Sequence, residues 1–502
     1  MKVFLLGAGP GDPGLLTIKA RDILTRADVV VYDALAFDGL LALSSPQAEV
    51  IYVGKIAGDH ALPQEQINAL LVAKAKEGKL VARLKGGDPY IFGRGGEEGE
   101  ALHAAGVPFE AVPGVSSAIA APAYAGIPLT HRDFASSVTI ITGHENPDKG
   151  KSVHNWQALA QSASTLVFVM GMTNLPRIAE NLIMAGLDPE TPAAVIYRGT
   201  TPRQRSLVST IARLPKDAID NGYVNPSVIV VGKVVQLKEK LDWFEQKPLF
   251  GKSVVVTRAR EQASDIASSL AHLGAEVLEF PTIRIRPATD YSDMDAAQAH
   301  LGDYHWIIFT SVNGVSKFFE RLSLSGKDSR ALSRCQIAAI GPATAKALNA
   351  YGLRADFVPE HFVAESVVEG LRQAEPLEGR FILLPRAAKA RDVLPRELRK
   401  AGARVDVVCA YETVPAEARR DEVFSRLKKG SLSCVSFGSS STVENFLAQV
   451  PAEVVRSSGA RLAAIGPITA KTLRDSGLDC HIMPQEFTIP ALVEAIKDFF
   501  AR

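Results

Sequence analysis

The sequence predicts an α/β protein with layered, largely parallel strands, divided among several domains. Three observations carry that expectation. Short apolar runs rich in Val and Ile, among them 29–32, 138–141, 228–231, 254–256 and 306–309, alternate with stretches of helical period at 63–77, 97–105 and 262–273. The length, 502 residues, exceeds what one hydrophobic core organises, and at about 150 residues per domain it suggests about three. The second half of the chain also repeats itself at a nearly constant interval.

Composition narrows the class without naming a function. Hydrophobic residues make up 47% and charged residues 22%, the normal range for a soluble globular protein. A formal net charge of +1 creates no global field to draw in nucleic acid or an anionic membrane, so neither partner is expected. No apolar run approaches the ~18 residues of a membrane-spanning helix. The start, Met1-Lys2-Val3-Phe4-Leu5-Leu6, runs into glycines without a small-residue cleavage site, so no signal peptide is expected. Cys335, Cys409, Cys434 and Cys480 are far apart, form no C-x-x-C, and read as reduced thiols of a cytoplasmic protein.

Taken in order, the first strand, 3–6, opens into Gly9-Pro10-Gly11-Asp12-Pro13-Gly14, and Asp33 ends the next strand. The loop matches G-x-G-x-x-G, the fingerprint of a dinucleotide fold. Pro10 and Pro13 lack N–H groups, which makes it a poor donor array for pyrophosphate; a tight strand-to-helix turn is the plain alternative. The strand at 80–84 opens into the segment Arg83 to Glu98, with five glycines in eleven residues. Glycines let backbone approach a ligand closely, and open sheets bind ligands at the carboxyl ends of their strands. Asp88 suits ribose hydroxyls, or else serves as a turn or N-cap residue. A third segment, Val112-Pro113-Gly114-Val115-Ser116-Ser117, precedes a helix at 117–125 that either serine would cap, and leads on to His131-Arg132. No metal-ligand cluster surrounds His131.

A boundary is expected at 238–252, where Lys238 to Trp243 close a helix, Pro248 breaks it, and Gly251-Lys252 precede a new strand. Beyond it, Val254-Val255-Val256-Thr257-Arg258 resembles Ile382-Leu383-Leu384-Pro385-Arg386, with the arginines 128 residues apart. Leu273 to Val277 resembles Ala401 to Val405, and Phe309-Thr310-Ser311 resembles Phe437-Gly438-Ser439, both at the same interval. Ala339 to Lys346 resembles Ala464 to Lys471 at an interval of 125. Two copies are too few for a solenoid and fit a duplicated α/β domain with a ligand cleft between the copies.

The first-half motifs carry a resemblance. Gly7-Ala8-Gly9-Pro10-Gly11-Asp12-Pro13, Arg83 to Glu98, Pro113 to Arg132, Phe168-Val169-Met170-Gly171-Met172 and Tyr197 to Arg205 resemble the uroporphyrinogen-III C-methyltransferase branch of the tetrapyrrole methylases, over about 1–240. The resemblance implies a two-lobed tetrapyrrole methylase fold, S-adenosyl-L-methionine (SAM) as cofactor, S-adenosyl-L-homocysteine as its product, and a homodimer through this half. It places cofactor contacts on Pro10, Gly86, Gly87, Asp88, Ile91, Ser116, Ser117, Met170 and Gly199, although most members carry Thr-Ala where Ser116-Ser117 stand. It places the proton acceptor and donor on Asp33 and Lys55, for which a strand-end turn acid and a solvated charge are the alternatives. Arg83, Lys85, Arg94 and Arg132 are candidate cations for substrate carboxylates. Some members carry a preceding dehydrogenase-ferrochelatase domain. Residue 1 lies beside the first strand, so that domain is not expected here, and with it no NAD requirement and no metal.

Residues 250–502 resemble uroporphyrinogen-III synthase through Val254 to Arg258, Ile308 to Val315, Ala339 to Ala345, Leu383 to Arg386, Ala410-Tyr411-Glu412-Thr413, Phe437 to Ser441 and Ala464 to Ala470, in the family's order. The implied fold is a pair of similar flavodoxin-like α/β domains joined by two extended segments, near 280–287 and 407–414. One lobe would comprise 253–284 and 412–502, the other 288–406. The implied reaction closes linear hydroxymethylbilane with loss of water and inversion of ring D. Because the substrate also closes spontaneously to the wrong isomer, the protein must hold a conformation more than supply a strong acid. The resemblance assigns this work to Thr344, Tyr411 and Thr469, with Ser311, Ser439 and Ser440 nearby and Arg258 and Arg386 at strand ends. The alternatives are helix caps for the threonines, packing for Tyr411, and surface salt bridges for the arginines.

The expected layout is a methyltransferase at 1–245, a linker at 246–252 and a synthase at 253–502. The expected function is bifunctional: formation of uroporphyrinogen III, then methylation at C2 and C7 to precorrin-2 for siroheme or cobalamin. A rival reading keeps the methyltransferase and makes the second half a non-catalytic tetrapyrrole-binding module. A third, a dinucleotide-dependent reductase, rests on the Gly9 loop alone.

Overall fold

The structure, a computed structural model, describes residues 2–33, 38–54, 62–144, 154–162, 164–257, 260–360, 364–390, 392–415 and 419–501. Lys55 and Arg258, both singled out above, lie outside the described residues. The chain divides into two compact units, Met1–Val254 with Ser269–Val277 and Lys497–Arg502, and Val255–Ser268 with Leu278–Ile496.

The first unit holds two five-stranded sheets. Strands β1 (Lys2–Gly7), β2 (Val29–Tyr32), β3 (Glu49–Tyr52), β4 (Leu80–Lys85) and β5 (Phe109–Val112) lie in the order β3-β2-β4-β1-β5. Every neighbouring pair is parallel. Such strands are covered on both faces, which is why Val29-Val30-Val31 reads as an unbroken apolar run and is fully buried. Helices Ile18–Leu24, Gln64–Lys76 and Gly95–Ala104 supply the cover. Thr17 caps the first of them by accepting from the Ala20 N–H at 3.2 Å. The chain leaves β1 towards β2 and leaves β4 towards β5, although β1 and β4 are neighbours. That reversal opens a crevice at the carboxyl ends of β1 and β4.

The second sheet corrects the expectation of largely parallel strands. Strands β6 (Val138–Thr142), β7 (Thr165–Val169), β8 (Pro192–Tyr197), β9 (Arg205–Thr210) and β10 (Ser227–Val231) run in the order β6-β7-β10-β8-β9. β6 and β7 are parallel; the other neighbours are antiparallel. The connection 198–204 is too short for a crossover, which needs about a dozen residues or more, so β8 and β9 must form a hairpin. Helix Ser117–Tyr124 leaves β5 and lays Ala118 and Ala121 against Val167, Ala194, Ile196 and Val230, which joins the two lobes through small side chains.

The repeat has a three-dimensional counterpart. Strands β11 (Ser253–Val256), β12 (Glu276–Glu279), β18 (Cys434–Phe437) and β19 (Arg461–Ala464) form one sheet, β12-β11-β18-β19. Strands β13 (Ile283–Arg286), β14 (Trp306–Phe309), β15 (Gln336–Ala339), β16 (Phe381–Ala387) and β17 (Arg404–Pro415) form another, β13-β17-β16-β14-β15. β14 and β15 pair in parallel from Trp306↔Gln336, and β18 and β19 from Cys434↔Arg461. Parallel bridges Ala338↔Phe357 and Ala463↔Ile482 follow, and Ile340 N–H to Phe309 O matches Ile465 N–H to Phe437 O, both at 3.0 Å.

The two extended segments meet as an antiparallel ladder of β13 on the end of β17, from Ile283↔Pro415 to Arg286↔Glu412. Glu412 ties it by accepting from Arg286 Nε at 2.9 Å and from the Thr289 N–H at 2.8 Å. The hydrogen bonds from Thr289 and Arg286 hold its carboxyl down to about 2. Among the described residues no helix is long and apolar enough to cross a membrane.

Candidate active sites

Three loops meet at the carboxyl edge of the first sheet so tightly that side chains are excluded. A Cβ on Gly7 would lie 2.4 Å from the Gly114 Cα, and one on Gly114 would lie 2.2 Å from the Gly87 carbonyl oxygen. Gly9 and Gly87 exchange backbone hydrogen bonds at 3.2 and 2.8 Å, with Gly87 at φ +67°. The loops after β1, β4 and β5 thus meet through close backbone contact.

This fastening removes the dinucleotide reading of the first loop. Gly9 N–H is given to Gly87 O, Asp12 N–H to Thr200 Oγ1 at 3.2 Å, and Gly14 N–H to Asp12 Oδ1 at 2.7 Å. Pro10 and Pro13 have none to give, so no donor array faces a pyrophosphate.

Most of the remaining cofactor candidates lie on or beside these loops. Asp88 accepts from the N–H groups of Tyr90 (2.8 Å), Ile91 (3.2 Å) and Gly114 (3.0 Å). It is therefore the turn-closing acid of its own loop and a tie to the next one, with lone-pair capacity to spare. Ser116 is the N-cap of helix Ser117–Tyr124 and accepts from Ala118 N–H at 3.3 Å; Ser117 is half-buried behind it. Pro10 and Gly86 are half-buried, and Ile91 is exposed. From the second lobe, Met170 follows β7 and is exposed, and Gly199 lies in the turn between β8 and β9. A Cβ on Gly199 would meet the Ala121 Cβ at 2.3 Å.

Backbone strain collects here. Six non-glycine residues among those described have positive φ, and Phe92, Arg94, Met170, Arg198 and Thr200 are five of them. Each such residue costs of order 1–3 kcal/mol, and strain of this kind gathers at ligand clamps.

Asp33 stands at the end of β2, partly exposed, with Oδ2 held by Arg83 Nη2 at 3.1 Å. Arg83 and Lys85 are corrected from their expected role as substrate cations. Both are buried within the sheet, where Glu98 Oε1 accepts from Arg83 Nε at 3.1 Å and Lys85 Nζ at 2.7 Å. Burial and the Arg83 charge pull Lys85 below the ordinary lysine range. Arg94 is exposed and forks onto Glu97 at 2.8 and 2.7 Å; Arg132 is exposed.

Sequence reasoning missed Glu98, which is fully buried with Oε2 lacking any partner. Its signal was helical register: Gly95, Glu98, Gly99 and Leu102 form the buried face of their helix. Also missed were Asp12, Tyr124, Gln204 and Glu245.

In the second half, Tyr411 is buried on β17, and its hydroxyl lies 3.1 Å from Ser311 Oγ. A register shift opposite Arg386 and Ala387 places Tyr411 rather than Ala410 across from Ala387, a bulge that sets where its ring points. Burial raises the Tyr411 phenol above its ordinary value. Ser311 and Ser439 are N-caps of helices Val312–Leu324 and Ser440–Leu447. Ser440 Oγ accepts from Thr472 Oγ1 at 2.8 Å.

Thr344 and Thr469 are not caps, contrary to the alternative weighed above. Gly341 and Gly466 are the N-caps, and each threonine sits one turn in, buried, with a hydroxyl that has no partner among the described residues. Arg386 is buried, donates to Ala390 O, and forms a salt bridge at 3.1 Å with the exposed carboxylate of Asp392.

Comparison with known proteins matches a different family to each half of the chain. The tetrapyrrole (corrin/porphyrin) methylase model matches residues 2–215, and the uroporphyrinogen-III synthase HemD model matches 264–494. The porphyrin biosynthesis protein HemD of Ruminiclostridium josui is 40% identical over 496 residues, 99% of this chain and 97% of that one. The S-adenosyl-L-methionine-dependent uroporphyrinogen III methyltransferase of Methanosarcina barkeri is 53% identical over 48% of this chain and 94% of its own. A crystal structure of uroporphyrin-III C-methyltransferase from Thermus thermophilus with S-adenosyl homocysteine covers 47% of this chain and 100% of its own, at 39% identity and a TM-score of 0.40. This chain belongs to the family in which a tetrapyrrole methylase is fused to a uroporphyrinogen-III synthase.

Proposed function

We propose that the chain makes uroporphyrinogen III with its second half, 253–502, and methylates it with its first, 1–245. Hydroxymethylbilane is closed with loss of water and inversion of ring D. Two methyl groups then pass from SAM to C2 and C7, giving precorrin-2. The same reading includes a homodimer through the first half and a cytoplasmic setting. The observation that carries it is the crevice where the Gly7, Gly87 and Gly114 backbones touch, ringed by strained residues. The family match over 264–494 favours a catalytic second half over a mere binding module.

The residues of the crevice fit SAM. Asp88 keeps lone pairs for ribose hydroxyls, Ile91 and Met170 offer exposed apolar surface, and Gly7, Gly87 and Gly114 let the three loops converge at the sheet edge. SAM, when bound, supplies the electrophilic methyl. The chain aligns the attacking pyrrole carbon and keeps water from it. Asp33, fixed by Arg83, is placed to accept the proton that the macrocycle loses. Arg94 and Arg132, both exposed, suit the substrate carboxylates. In the synthase, the Tyr411 phenol stays neutral and donates, and Ser311, Thr344 and Thr469 add hydroxyls that hold the bilane folded.

Methyl-labelled SAM and uroporphyrinogen III test the first activity, and the isomer ratio from hydroxymethylbilane tests the second. Two labelled methyls and isomer III are expected. No label, or the spontaneous isomer, would overturn the corresponding half.

A further inference from the structure

Residues 238–245 grip the methylase rather than trailing from it. Trp243 Nε1 donates to Ala123 O at 3.0 Å, and Lys238 Nζ to Ala125 O at 3.3 Å, at the end of helix Ser117–Tyr124. Tyr124 is clamped edge-on by Trp243 and Phe244, at ring separations of 5.0 and 4.8 Å.

Its hydroxyl starts a closed circuit of four hydrogen bonds. Tyr124 OH donates to Asp12 Oδ2 at 2.7 Å, Asp12 N–H to Thr200 Oγ1 at 3.2 Å, and Thr200 N–H to Gln204 Oε1 at 2.8 Å. Gln204 Nε2 closes the ring on Tyr124 O at 3.2 Å. Thr200 and Gln204 are each 2% exposed, so the bond between them is shielded from water, while Asp12 and Tyr124 are half-buried. Glu245 anchors it from outside by accepting from Gln204 Nε2 at 2.9 Å and Ser206 Oγ at 2.5 Å. Lys238 Nζ holds the other Glu245 oxygen at 3.0 Å.

The circuit joins the two walls of the cofactor crevice. One wall is the Pro10 loop, which Asp12 closes; the other is the Gly199 turn, where Thr200 stands at φ +69°. The walls also touch directly, since a Cβ on Gly11 would lie 2.7 Å from Thr201 Cγ2.

We propose that Glu245, acting through Gln204 and Tyr124, is a positioning residue that sets the gap between the Pro10 loop and the Gly199 turn, and with it the affinity for SAM. The proposal rests on the reading of these loops as the SAM site. Glu245 itself touches no cofactor candidate among the described residues; it holds the groups that hold them.

The test uses the full chain and the variants Glu245→Ala, Glu245→Gln and Tyr124→Phe. S-adenosylhomocysteine affinity is read by calorimetry, and KM for SAM, KM for uroporphyrinogen III and kcat by methyl transfer. Glu245→Ala and Tyr124→Phe should weaken S-adenosylhomocysteine and raise KM for SAM about tenfold, the scale of one lost hydrogen bond. kcat at saturating SAM, KM for uroporphyrinogen III and synthase turnover should stay within about twofold. Glu245→Gln should recover part of the lost binding, because its amide oxygen still accepts from Gln204 and Ser206 while the pair with Lys238 is lost. Unchanged affinity in both weakened variants, or a fall in kcat alone, would overturn the proposal. Should Glu245→Ala fail to fold, Tyr124→Phe, which deletes a single oxygen, decides. Wild-type chain that binds no S-adenosylhomocysteine would instead overturn the SAM reading.

Discussion

Glu98→Gln is the most informative single perturbation of the first half. Glu98 Oε1 is shared by Arg83 Nε at 3.1 Å, Lys85 Nζ at 2.7 Å and Gln64 Nε2 at 3.3 Å, and the side chain is fully buried. The amide keeps the shape but removes the carboxylate with which Lys85 pairs. Leaving a buried charge without its partner costs about 3–5 kcal/mol, so a local loss near the low end, about 3 kcal/mol, is expected at neutral pH. The pH dependence follows from Lys85. Burial and Arg83 already hold it below the ordinary lysine range, and Glu98 opposes that fall. Without Glu98 it drops further. Between the lowered folded value and the ordinary unfolded one, the unfolded state binds more protons, so stability rises with pH. That window opens at a lower pH in the variant, and the gap to wild type must narrow as pH is raised. Hydrogen exchange at β4, corrected for intrinsic rates, reads the local free energy where a multidomain chain has no single unfolding value. A loss below about 1 kcal/mol, or a gap that widens with pH, would refute the buried quartet.

Three further outcomes follow from the same geometry. Thr344→Val and Thr469→Val keep shape and lose no hydrogen bond, so local stability should stay within about 1 kcal/mol while synthase turnover falls; Ser311→Ala and Ser439→Ala remove caps and should each cost about 1 kcal/mol, read by hydrogen exchange in the capped helices. Gly199→Ala forces a Cβ to within 2.3 Å of Ala121, and overpacking of that kind costs about 1–3 kcal/mol; calorimetry should show S-adenosylhomocysteine binding lost or weakened at least about tenfold. Glu412, held down to about 2, contributes stability that is complete above the ordinary glutamate value of 4.5 and is lost as pH falls towards 2. Exchange protection at β13 should therefore persist at pH 4.5 and fade towards 2, and Glu412→Gln should abolish that step.

Alternation of apolar runs and helical stretches was enough to locate β1, β4 and β14 and the helices Gln64–Lys76 and Gly95–Ala104, because each obeys local periodicity. The handedness of pairing in the second sheet was not legible. Whether β10 enters parallel or antiparallel is decided by distant partners, and the hairpin at 198–204 has no Asn-Gly or Gly-Gly signal. The glycine loops were legible as a ligand site because glycine at such density has few other uses. Arg83 and Lys85 were misread for a physical reason: a sequence shows charge but not which face of a strand it occupies, and their partner Glu98 lies on the next helix. The circuit through Asp12, Tyr124, Gln204 and Glu245 spans more than two hundred positions, and no local pattern announces it.

Incubation of the full chain with hydroxymethylbilane, with and without SAM, tests both halves in one vessel. Uroporphyrinogen III should accumulate without SAM, and a product two methyl groups heavier should replace it when SAM is supplied. Closure to the spontaneous isomer without methyl incorporation would contradict the proposed function at both sites.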